Sequence, residues 1–218
     1  MDISTYELER GILSQKAERA CQNVIGRFCL YRSACRHEDI MALWAELPDV
    51  RVEVPWGVYD GADSIRRFLK ETQPGHDDEN GRRGVLDIDA INTPDIIVAK
   101  DVKTARGIWI SQGLRTRVQD DEADCIWRWT KMGVDFVEEN GEWKLWHVAI
   151  YPLLETDYET AWYDMPKLTQ ESFVGYTPDR KPTARSMWSF HKDCIYPMGH
   201  PAEPSPYDNF EIDVGYGY

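Results

Sequence analysis

The chain has 218 residues, 42% of them hydrophobic, with 9 Trp, 11 Tyr and 6 Phe. That is enough apolar bulk to bury a core and too much for a disordered chain. Acidic residues outnumber basic ones 38 to 25, a formal charge of −13; no basic stripe offsets this, which argues against a nucleic-acid partner and against anionic membrane surfaces.

The opening residues Met1-Asp2-Ile3-Ser4 carry neither the basic nor the apolar segment of a signal peptide. No run approaches the ~20 apolar residues that span a bilayer. The five cysteines (Cys21, Cys29, Cys35, Cys125, Cys194) are odd in number and form no C-x-x-C pair. They read as reduced thiols of a cytoplasmic protein, neither a disulfide framework nor a metal site.

Ser4-Thr5-Tyr6-Glu7 fits a capping box that opens a short helical turn. Ala17, Ala20, Cys21, Val24, Phe28, Tyr31 and Cys35 then recur at three- and four-residue spacing, which predicts one amphipathic helix over Leu13 to Cys35. A second helix is expected from His37 to Leu47, stopped by Pro48. Arg51 to Pro55 reads as a strand and Trp56 to Gly61 as a loop ending in an Asp-Gly turn. Ile65, Phe68 and Leu69 mark a third helix, Ala62 to Glu71. Pro74 to Gly84 is polar and Gly-punctuated, hence a loop. Strand signals follow: Val85 to Ile91, Asp95 to Lys100, Ala105 to Ser111, and Cys125 to Val137, which is long enough to bend across a sheet. Asn140-Gly141 is the strongest hairpin turn and leads into Trp143 to Tyr151. Helices first and antiparallel strands after give an α+β layer fold. The stretch from about Pro152 is rich in Pro and aromatics, including Tyr196, Pro197, Tyr207, Phe210, Tyr216 and Tyr218. It reads as an ordered arm wrapped on its own domain or on a neighbouring subunit.

Several stretches carry a family resemblance. They are Tyr31-Arg32-Ser33-Ala34 followed by Asp39; Tyr59-Asp60-Gly61 before a helix; Asn92-Thr93-Pro94-Asp95-Ile96-Ile97-Val98 with Asp101 and Lys103-Thr104-Ala105; Val134 to Glu138 with Gly141 to Leu145; and Pro204-Ser205-Pro206-Tyr207. In this order the chain resembles the nuclear transport factor 2-like superfamily, SnoaL-like branch, over residues 10 to 155. The resemblance implies a cone: a curved, barrel-like mixed or antiparallel sheet packed on three helices around one apolar pocket. It divides the chain into a domain over 1–155 and a C-terminal extension over 156–218. The superfamily includes scytalone dehydratase, ketosteroid isomerase, polyketide cyclases and binding proteins without chemistry, so membership alone does not fix function. Its lyases and isomerases generally work without a cofactor, and none is expected here.

The resemblance implies that Tyr31 reaches the pocket, where its hydroxyl would polarise a substrate carbonyl; a core tyrosine is the alternative. Asp39 matches the second acidic position of the family's pattern, while Arg36 replaces the first. Asp87 and Asp89 stand where relatives often carry histidines. On a strand they share one face. If that face is the interior, paired carboxylates raise each other's pKa and divide acid and base roles. Alternation favours the other orientation, with Leu86, Ile88 and Ala90 buried and the carboxylates in solvent. His147 shares a strand face with Trp143, Leu145, Ala149 and Tyr151, as a proton-transfer group or a structural one. His191 and His200 lie in the arm; His37 and His76 read as exposed. Trp44, Trp56, Tyr59, Trp109, Trp127 and Trp129 are candidate walls for a flat, multi-ring ligand, or core and interface residues. No His–carboxylate spacing fits a metal.

Two readings follow. One is a cofactor-independent lyase or isomerase acting on a hydrophobic, oxygenated small molecule. The other is a non-catalytic ligand-binding or assembly protein. A homo-oligomer is expected under either.

Overall fold

The computed structural model describes residues 4–73, 80–119, 122–183, 189–195, 201–211 and 216. The expectations for His76, His200, Tyr196, Pro197 and Tyr218 lie outside these residues. Helix α1 spans Thr5–Ser33. Its N-terminus is the predicted capping box: Glu7 N donates to Ser4 Oγ, and Ser4 N donates to the Glu7 carboxylate at 2.9 Å. The box opens the long helix itself, 29 residues without a break, instead of a separate turn. Its buried stripe includes Ala17, Cys21, Val24, Phe28 and, unusually, Arg32.

Helix α2 is only His37–Met41. The predicted continuation to Leu47 fails because the chain pairs with a strand instead. Ala45 N donates to Leu145 O at 2.9 Å, and Leu145 N to Leu43 O at 2.8 Å. Strand β1 (Arg51–Val54) turns back through β2 (Gly57–Asp60), so most of the expected loop at Trp56 to Gly61 is a strand. It pairs with β1, and on its outer edge Val58 exchanges backbone hydrogen bonds with Arg180 of the C-terminal extension. Helix α3 covers Ala62–Thr72.

Strands β3 (Asp87–Val98), β4 (Thr104–Gln119), β5 (Glu122–Glu139) and β6 (Glu142–Asp157) are all longer than the sequence suggested. Two predicted runs merge into β3 through a register shift between Asn92 and Asp95. Asn140 and Gly141 both have positive φ, 55° and 86°, as a tight type I′ hairpin requires. The six strands form one open, curved sheet in the order β2-β1-β6-β5-β4-β3. Only the β1–β6 pairing is parallel. The helices cover one face, burying Ile25, Phe28, Val52, Phe68, Trp109, Phe136 and Val148, each burial stabilising by about 1.5–3 kcal/mol. The expected α+β cone is present; its sheet is not closed.

The opposite sheet face receives the C-terminal arm. Tyr216 lies flat over Gly133, where an added Cβ would sit 2.6 Å from the ring. Arg106 donates to Ser205 O at 2.9 Å and stacks over the Tyr207 ring. The described part of the arm therefore packs on its own sheet. Beyond it, the cross-strand neighbours Ile88, Leu114 and Trp127 form an exposed apolar row. Among the described residues no helix is long and apolar enough to cross a membrane.

Candidate functional site

A cavity of about 50 Å³ lies between the helix-covered face of the sheet and the extension that follows β6. Most of its wall is apolar. Val54, Pro55 and Trp56 come from the β1–β2 hairpin, Phe68 from α3, and Met132 and Ile150 from β5 and β6. Leu168 and Phe173 close it from the extension. One end is charged, formed by Arg32, Asp89, Arg115, Arg128 and Glu155.

That end is organised by Asp87, which is buried just behind it. Asp87 Oδ2 accepts from Arg32 Nη2 at 3.2 Å and from Arg115 Nη2 at 3.5 Å, and Oδ1 accepts from Arg128 Nη2 at 3.2 Å. Gln73 adds a fourth donor, at 3.3 Å. Burial alone would raise the Asp87 carboxyl. The guanidiniums of Arg32, Arg115 and Arg128 outweigh it and hold the group below its ordinary value of 3.8. Among the described residues Asp89 accepts from Arg128, with Nε to Oδ1 at 3.0 Å and Nη2 to Oδ2 at 2.5 Å. Burial, then the charge of Arg128, pushes Arg115 down to about 10. It stays cationic at neutral pH.

The cluster carries more donors than acceptors. Each guanidinium has five N–H bonds, yet Arg32 and Arg115 place only Nη2 on Asp87. The Nε atoms of both are buried without a hydrogen-bond partner. The carboxylates of Asp87, Asp89 and Glu155 balance the three guanidiniums in charge, and the two open Nε donors are what this end offers to an electronegative atom of a ligand. Asp89 and Glu155 are the carboxylates at the cavity wall.

The orientation read from alternation is reversed. Asp87 and Asp89 face inward, while Leu86 and Ile88 are 43% and 42% exposed. The expectation that the two carboxylates raise each other's pKa is also corrected for Asp87, because the arginines outweigh burial and hold the group down.

Other candidates lie elsewhere. Tyr31 packs at the edge of the core with Arg36 stacked on its ring at 4.4 Å, and does not line the cavity. Its neighbour Arg32 takes that place. Asp39 pairs with Arg36 at the surface, at 2.8 Å. His147 is fully buried on the arm-covered face, bonded through Nδ1 to Asp135 at 2.9 Å. It was expected to share a face with Leu145. The irregularity between Asp135 and Phe136 shifts the register, so Leu145 enters the main core while Ala149 and Tyr151 join Tyr216.

Of the six aromatic candidates, Trp56 alone lines the cavity. Trp109 is a core residue whose Nε1 donates to Gln22. Tyr59 is buried between Trp56 and Glu71. Trp44 sits beneath a surface hollow near α2, and Trp127 and Trp129 are exposed. The cavity is smaller than the ~150 Å³ space that holds benzene in an engineered core, so a multi-ring ligand does not fit it as it stands. Sequence reasoning missed Arg32, Arg115, Leu168 and Phe173. A signal existed for Arg32, which falls four residues after Phe28 on the buried stripe of α1. Among the described residues no group of three or more His, Cys, Asp or Glu could hold a metal ion.

The model of the SnoaL-like domain family matches residues 14–149. Solved structures share the fold. A type 2 hexachlorocyclohexane dehydrochlorinase (LinA) superposes with a TM-score of 0.55 at 12% identity, covering 71% of this chain and 97% of its own. A type 3 LinA dehydrochlorinase from Novosphingobium barchaimii gives 0.52 at 14% identity, covering 70% and 97%. A candidate scytalone dehydratase from Novosphingobium aromaticivorans gives 0.51 at 14% identity, covering 77% and 93%. No curated protein matches the sequence.

Proposed function

The chain belongs to the SnoaL-like domain family, and on that premise we propose that it is a cofactor-independent lyase or isomerase acting on a compact, oxygenated molecule in the cavity. One observation carries this reading: a cavity-wall carboxylate on β3, Asp89, lines the same charged end as the guanidiniums of Arg32 and Arg115, whose Nε donors are buried without a hydrogen-bond partner. Asp89 takes a proton from the carbon next to a substrate carbonyl. The C–H electron pair forms the new C=C bond, and the arginines carry the charge that develops on the oxygen. Collapse then expels a leaving group from the β carbon, or returns the proton at another carbon. The named activities of the similar structures agree in kind, although at 12 to 14% identity the likeness extends to the fold and not to the chemistry. Asp87 acts through the arginines as a positioning residue.

A second reading has one observation behind it. Both carboxylates already accept from arginines, which occupies oxygens that would take a substrate proton and suits a protein that binds without turnover. A panel of small β-hydroxy and β,γ-unsaturated ketones separates the two. Conversion by the native protein and its loss in Asp89→Asn supports the enzyme; a ligand retained unchanged supports the binder.

We also propose a cytoplasmic location, from the five free cysteines, and a homo-oligomer that uses the exposed row Ile88, Leu114 and Trp127. A monomeric mass by light scattering at micromolar concentration contradicts the oligomer.

A further inference from the structure

The family match ends at residue 149, yet the cavity is closed by residues beyond it. After β6 the chain is anchored by the buried Met165. It then crosses the cavity mouth with Leu168 and a single 3₁₀ turn, Gln170–Phe173. The crossing is fastened at its far side. Tyr176 stacks on Trp56 with ring centres 4.4 Å apart, and Phe173 meets the same indole at 5.3 Å. Thr177 N and Oγ1 both donate to the Glu71 carboxylate, and Arg67 Nε donates to Thr177 O at 3.0 Å. The strap thus has one apolar anchor, one aromatic clamp and a polar latch on α3. Among the described residues of the strap, Leu168 and Phe173 turn side chains into the cavity wall.

We propose that Phe173 and Leu168 determine ligand size, so that specificity resides in the C-terminal strap and not in the family domain. The inference rests on the cavity being the ligand site. The fixed walls of the cavity are strands of one continuous sheet and a packed helix, which cannot retreat without breaking ladder hydrogen bonds. The strap crosses the mouth without sheet pairing at Leu168 or Phe173, so its side chains are the adjustable boundary. With Phe173 in place the cavity of about 50 Å³ admits a molecule smaller than benzene. Removing the ring extends the same space toward Trp56.

The test measures binding and needs no turnover. Saturation-transfer NMR is run with 2-butanone and with acetophenone on the native protein, Phe173→Ala, Leu168→Ala and Tyr176→Ala, each first checked for a native circular dichroism spectrum. Tyr176 stacks on Trp56 without lining the cavity, so its variant removes one of several fastenings and leaves both cavity-lining side chains of the strap in place. The expected result is that the native protein and Tyr176→Ala bind 2-butanone at least tenfold more tightly than acetophenone. Phe173→Ala, and to a smaller extent Leu168→Ala, reverse that preference. Acetophenone binding to the native protein as tightly as to Phe173→Ala overturns the size filter while leaving the cavity reading intact. Failure of both ketones to bind any of the four proteins removes the cavity reading and the filter together.

Discussion

Asp89 on β3 and Arg128 on β5 form a two-point ion pair across β4, through the space that Gly113 leaves between them. The three residues are direct cross-strand neighbours, Asp89 opposite Gly113 and Gly113 opposite Arg128. A Cβ at Gly113 would lie 2.6 Å from Asp89 Oδ1, 2.9 Å from Arg128 Nε and 2.9 Å from the backbone oxygen of Ile88. The last of these cannot swing away. Gly113→Ala is therefore expected to cost about 1–3 kcal/mol in urea denaturation and to misplace Asp89. A variant as stable as the native protein would show that the strands absorb the methyl group without strain.

Asp87 sits behind this pair and accepts from three guanidiniums, with its side chain only 6% exposed. Asp87→Asn leaves the charges of Arg32 and Arg115 buried without their carboxylate. Breaking a buried ion cluster in this way costs about 3–5 kcal/mol. Asp89→Asn, with Asp87 still in place, is expected to cost less and to act mainly on function. Equal losses of stability in the two variants, measured in urea, would contradict this division of roles.

The same cluster fixes a pH dependence. Asp87 titrates below its ordinary value in the folded state, so its contribution to stability is complete above the unfolded value of about 3.9. It is lost as the pH falls through the lower folded-state value. Between pH 7 and 4 this group leaves stability unchanged. Below pH 4 the native protein is expected to lose melting temperature more steeply than Asp87→Asn. Parallel acid limbs in a series of melting curves would rule the linkage out.

His147 makes the opposite prediction from the one its residue type invites. It lies on the arm-covered face with Asp135, whose Oδ2 also accepts from Tyr216 N at 2.8 Å. Trp146 and Phe210 surround the ring. His147→Ala removes a buried hydrogen bond to a carboxylate, worth about 2 kcal/mol, and touches nothing in the cavity. Lowered stability with intact chemistry is expected; lost chemistry in a folded His147→Ala protein would place His147 in the reaction.

Local patterns exposed those elements whose causes are local. The Ser4–Glu7 capping box, the apolar stripe of α1 and the Asn140-Gly141 turn each satisfy their own backbone groups within a few residues. The family motifs and their order carried the cone. The faces of β3 were misread because alternation shows that two faces differ without saying which is inside. Asp87 and Asp89 can face inward only because Arg32, Arg115 and Arg128 arrive from three other elements, a complement at sequence distances of 28 to 55 residues. Leu145 parts from the face of His147 because the register shift between Asp135 and Phe136 breaks the alternation of β6 between them. The strap had no period to read, and its role appears only once it is laid against Trp56.

The central claim, that Asp89 accepts a proton from carbon beside an arginine-held oxygen, is tested most directly by hydrogen exchange. The protein in D₂O is mixed with 2-butanone, and deuterium entry beside the carbonyl is followed by proton NMR. The account predicts exchange well above buffer for the native protein and a fall of about 10²–10⁴-fold in Asp89→Asn, the range expected for loss of a positioned base. Equal exchange in both proteins, or native exchange no faster than buffer, would contradict it.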